Sequence, residues 1–85
     1  MAIKICVRRA TSREFSRGIV LAFSFMYDFP VGAFKTSPQR VTQMIHKHEF
    51  LGPMTKENIK NHIVSNYYRL FEYKDPVFTF ESDFD

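Results

Sequence analysis

The run from Ile19 to Phe29 constrains this chain most, because it is apolar on nearly every side and broken only by Ser24 and Asp28. Whatever it forms must be buried. Two periodicities fit it. Ile19, Leu21, Phe23, Phe25, Tyr27 and Phe29 alternate with smaller or polar residues, which is the period of a strand. Phe15, Ile19, Ala22, Phe23 and Met26 share one face at helical spacing. Periodicity alone does not separate the two. An independent start signal favours the helix. Thr11 with Glu14 three residues later is a capping box, in which the hydroxyl accepts from one free amide and the carboxylate from another. The reading adopted is a helix over 12–27, weakened by Gly18 inside it.

The rest of the chain is punctuated by proline and glycine. Ile3, Ile5 and Val7 alternate with Ala2, Lys4, Cys6 and Arg8, giving a strand at the N-terminus. Pro30-Val31-Gly32 ends the aromatic run. Ser37 followed by Pro38 has the form of a cap and first helical residue. Val41, Met44, Ile45 and His48 then fall at helical spacing, predicting a helix over 38–48 that Gly52-Pro53 stops. Thr55 is a further cap, and Ile59, Ile63, Tyr67, Leu70 and Phe71 form the stripe of a third helix over 56–73. Asp75-Pro76 breaks it, and Val77 to Phe80 reads as a short strand. Strands at the two ends commonly pair. The expected fold is α+β: a three-helix core with a two-stranded sheet from the N- and C-terminal strands. Residues 1–85 form a single domain, with 81–85 a frayed acidic tail.

Composition supports a folded, thin core. The chain has 85 residues, ten Phe and four Tyr, with 45% hydrophobic residues, too many for intrinsic disorder. One cysteine, Cys6, excludes an intramolecular disulfide and favours a reducing, cytoplasmic setting. Flanked by Ile5 and Val7, it reads as a small buried hydrophobe. The longest apolar stretch is shorter than the ~20 residues a spanning helix needs. No signal peptide is expected at the start, which is charged early.

Motifs for chemistry are sparse. His46-Lys47-His48 on a helix would point its imidazoles to different faces, and no spacing with His62 or Cys6 matches a zinc module. No nucleophile elbow, Walker loop or dinucleotide fingerprint occurs. Glu14, Asp28, Glu49 and Glu57 are not spaced as a catalytic pair. Neither an enzyme, a metal nor a cofactor is expected.

Charge is more suggestive. Residues 1–48 hold eight Lys/Arg against Glu14 and Asp28, a net +6, while 49–85 hold four against seven Asp/Glu, a net −3. A basic front half points to an acidic macromolecule, DNA or RNA. The second and third helices joined by 49–54 would make a helix-turn-helix, with Lys56, Asn58, Lys60 and Asn61 near base edges. Arg69 would touch phosphate, and Arg8, Arg9, Arg13 and Arg17 would clamp the backbone. The stretch Ile59-Lys60-Asn61-His62-Ile63, followed by Tyr68-Arg69-Leu70, resembles the recognition helix of LuxR-type helix-turn-helix domains. The turn before it is longer than in that family. The resemblance implies sequence-specific DNA contact through Lys60 and Asn61. The leading expectation is thus a small non-enzymatic nucleic-acid-binding or regulatory domain. The alternative is an accessory protein of viral or phage type that inhibits or redirects a host protein. Phe residues left exposed would argue for a homodimer.

Overall fold

Alternation along the first strand sets the architecture. In β1 (Ala2–Arg9), Ile3, Ile5 and Val7 are buried and Ala2, Lys4 and Cys6 are exposed, so the strand has one inner and one outer face. A computed structural model describes residues 2–31, 35–71, 74–81 and 84, with the backbone only at 28–31, 35 and 36. After β1 come α1 (Ser12–Ser16), β2 (Ile19–Val31), β3 (Lys35–His46) and α2 (Lys56–Asn66). A 3-10 turn (Tyr68–Phe71) and β4 (Asp75–Phe80) follow. The four strands form one mixed sheet in the order β3-β2-β1-β4.

This corrects the expected three-helix core. The described chain is mostly β, with one helix longer than two turns. The capping box at Thr11 is present: Glu14 N donates to Thr11 Oγ1 at 3.2 Å and Thr11 N donates to Glu14 Oε1 at 2.9 Å. It nucleates only α1, which ends at Gly18 with φ 86°, a left-handed conformation that suits glycine. The aromatic run beyond it is β2, not helix. As a strand it puts Leu21, Phe23 and Phe25 on the inner face together. A helix would have spread those rings around its circumference.

The segment expected as a helix over 38–48 is also corrected. Through His46 it lies in β3, antiparallel to β2 from Ile19↔His46 to Val31↔Lys35, and 47–48 belong to the turn that follows. Pro38 is accommodated because β3 is an edge strand, where a missing donor need not break a ladder. The third predicted helix starts at its Thr55 cap, with Asn58 N donating to Thr55 Oγ1 at 3.2 Å, but ends at Asn66 and continues as the 3-10 turn. The first and last strands do pair, in parallel from Ala2↔Asp75 to Val7↔Phe80, as two members of the larger sheet.

The core lies on one side of that sheet. Ile59 and Ile63 of α2 are fully buried in one cluster with Ile3, Ile5, Val7, Leu21, Phe23, Phe25 and Ile45. Phe23 meets Tyr67 edge-on at 5.1 Å between ring centroids, and Phe25 meets Phe71 at 5.7 Å. Phe84 is buried against Phe80 and lies under the Arg9 guanidinium, 4.7 Å from the ring centroid. The opposite face is uncovered over its centre, where Lys4, Cys6, Thr42 and Thr79 are exposed. Cys6 is therefore exposed rather than buried, because inward Ile5 and Val7 force it outward. No helix among the described residues is long and apolar enough to cross a membrane.

Candidate nucleic-acid interface

The uncovered sheet face carries a groove of about 380 Å³. Register explains its lining. Cys6 stands opposite Ser24 on β2 and Thr79 on β4, and Ser24 stands opposite Thr42 on β3. One row across the sheet therefore presents hydroxyls and a thiol. Arg8 on one side and Arg40 on the other border that row. Lys4 shares the face, one pleat along β1 from Cys6.

The cations differ in how free their charge is. Arg8 donates from both terminal nitrogens to Glu14, at 2.8 and 3.0 Å. That paired hydrogen bond raises the Arg8 pKa, while Arg8, then the Thr11 amide, pulls the Glu14 carboxyl down to about 2. Arg8 is thus neutralised by a carboxylate it will not lose near neutral pH. Arg40 donates to Ser24 Oγ at 3.2 Å, a neutral partner that leaves its charge available. Lys4 is exposed, and neither Lys4 nor Arg40 forms an ion pair with a carboxylate among the described residues.

The residues expected to read DNA lie elsewhere. The element directly before α2 is the strand β3 rather than a helix, so the expected helix-turn-helix is not formed and that part of the expectation is withdrawn. Lys56, Lys60 and Asn61 are exposed on α2, on the other side of the sheet from the groove. Lys56 Nζ sits 5.8 Å from the Phe80 ring centroid. Asn58 is used structurally, donating from Nδ2 to Pro53 O at 3.0 Å. Arg69 is exposed in the 3-10 turn, 5.9 Å from the Tyr68 ring centroid. Arg9 is engaged over Phe84. Arg13 and Arg17 are exposed at α1, and neither lines the groove. Of the nine, only Arg8 does.

Lys4, Arg40, Ser24, Thr42 and Thr79 were not among the expected site residues. The alternation of Lys4, Cys6 and Arg8 against three β-branched residues already marked a polar strand face. The partners of that face follow only from the pairing of strands far apart in sequence.

A second cluster gathers His46, His48, Glu49, His62 and Tyr67. Glu49 Oε1 accepts from the His46 amide at 2.9 Å, and Oε2 accepts from the Tyr67 hydroxyl at 3.1 Å. Burial, then the Glu49 carboxylate, pushes the Tyr67 pKa up to about 12. His62 Nε2 is buried 3.7 Å from Glu49 Oε2 and makes no hydrogen bond among the described residues. The His46 and His48 ring centroids are 5.6 Å apart, His46 ending β3 and His48 lying in the turn after it. No set of three or more metal-ligating side chains among the described residues is arranged to hold an ion. With both oxygens engaged, Glu49 works as a tie between the end of β3 and the end of α2.

Comparison with protein-family models, with curated proteins and with solved structures finds no match for the chain. The functional reading rests on the geometry described above.

Proposed function

We propose that this chain is a small non-enzymatic nucleic-acid-binding domain that holds a phosphate backbone against the open face of its sheet. The observation that carries the reading is the groove lined by Ser24, Thr42, Thr79, Arg8, Arg40 and Glu81, with Lys4 on the same face and no carboxylate paired to Lys4 or Arg40 among the described residues. Hydroxyls and guanidinium groups are the donors that phosphate oxygens take up in protein–nucleic acid contacts. The groove is open to solvent along the sheet face rather than enclosed, which is compatible with a polymer laid across it. Among the described residues its exposed large apolar side chains are Met26 and Val77, neither of them an aromatic ring on which a base would stack. The contact is therefore to the backbone, with little base preference.

The test is fluorescence anisotropy with a labelled mixed-sequence oligonucleotide over a salt titration. Affinity should fall steeply with salt through counterion release. The double variant Lys4→Glu/Arg40→Glu should lose about tenfold or more in affinity and flatten the salt slope by about 2, one for each phosphate contact removed. Lys56→Glu/Lys60→Glu, on the opposite side, should leave binding within about twofold. Absence of binding at low salt, or equal losses in the two variants, overturns the reading.

A further inference from the structure

Resting on that reading, we infer that the preferred partner is duplex nucleic acid, straddled at its major groove by the β2–β3 ribbon. The ladder between β1 and β2 stops at Ile5↔Phe25, whereas the β2–β3 ladder continues to Val31↔Lys35. Met26–Val31 and Lys35–Arg40 thus form a two-stranded ribbon with no third strand beside it among the described residues. Six residue pairs extend roughly 20 Å at strand rise. The molecule is correspondingly elongated, 43 × 25 × 23 Å along its principal axes. Two strands about 4.8 Å apart are what a major groove of roughly 12 Å admits.

Charge at the root of this ribbon says which polymer fits. Lys4 and Arg40 flank the root on the open face of the sheet. On the other face, Arg69 lines a shallow apolar groove with Phe25, Tyr27, Val41 and Leu70, and Lys74 Nζ lies 4.7 Å from the Tyr27 ring centroid. Alternation separates the two sets: Met26 and Arg40 oppose each other on one face, Phe25 and Val41 on the other. None of the four cations forms an ion pair with a carboxylate among the described residues. A single strand can satisfy one face only. A duplex groove offers two phosphate walls, one for each pair.

The experiment compares a duplex of about two helical turns with one of its separated strands, by anisotropy on the full chain at low salt. The variants are Lys4→Glu/Arg40→Glu and Arg69→Glu/Lys74→Glu, with Arg69→Gln/Lys74→Gln as a milder pair. Circular dichroism confirms that each retains its fold. The wild type should bind the duplex more tightly. Arg69→Glu/Lys74→Glu should weaken duplex binding about tenfold while leaving the single strand within about twofold. The glutamine pair should do the same to a smaller degree, and Lys4→Glu/Arg40→Glu should weaken both ligands. If the Arg69/Lys74 variants weaken both ligands equally, or neither, the duplex inference fails while the open-face reading stands. If Lys4→Glu/Arg40→Glu changes neither ligand, both fail.

Discussion

Glu14 does two jobs with one carboxylate. It closes the capping box on the Thr11 amide and it grips both terminal nitrogens of Arg8. The capping role was readable from Thr11 and Glu14 alone, because it depends on a local spacing. The ion pair was not, because it requires β1 and α1 to be folded against each other. Arg8, first, and the Thr11 amide hold the carboxyl at about 2, below its ordinary 4.5. A folded-state value lowered in this way contributes stability above the ordinary value, and that contribution is lost as pH falls toward the folded one. In urea melts, the wild type should exceed Glu14→Gln in midpoint near neutral pH, and the gap should close between about 4.5 and 2. A gap that stays constant down to acid pH would show that the carboxylate charge is not what matters there. Cys6 makes a similar point about residue context. Its type argued for burial, and its place in a strand between two inward residues argued otherwise.

At the scale of elements, the errors share one cause. A spacing of four residues returns a side chain to the same face of a helix and, being even, to the same face of a strand. Val41 and Ile45 therefore fitted the helical stripe, yet in β3 they oppose Phe25 and Leu21 on the inner face of the sheet. Residues at odd separation discriminate, and here Met44 opposes Ala22 on the face away from Ile45. What settles the matter is the partner strand, since two long strands in succession can satisfy one another's backbone hydrogen-bonding groups. By contrast α2 was legible, because Thr55 and the Ile59–Ile63 pair are followed by no competing alternation. Gly18 is the hinge between local and tertiary signals: it stops the nucleated helix so that β2 can begin. A Cβ there would meet nothing within 4 Å, so the strain of Gly18→Ala is in the backbone alone, at φ 86°. The substitution should cost about 1–2 kcal/mol in chemical denaturation. A neutral or stabilising effect would mean that α1 can extend without disturbing β2.

For the whole molecule, the charge asymmetry of the sequence falls on more than one surface of the fold. The basic half of the chain supplies Lys4 and Arg40 to the open face, while the helix singled out for recognition sits behind the sheet. Net charge identifies a class of partner, and only topology says which surface meets it. The most direct test is a ¹H–¹⁵N correlation titration of the full chain with a short mixed-sequence duplex at low salt. The amides of Lys4, Cys6, Ser24, Arg40 and Thr42 should shift with increasing ligand, and those of Lys56, Lys60 and Asn61 should stay in place. Shifts concentrated on α2, with the open strand face unmoved, would contradict the account.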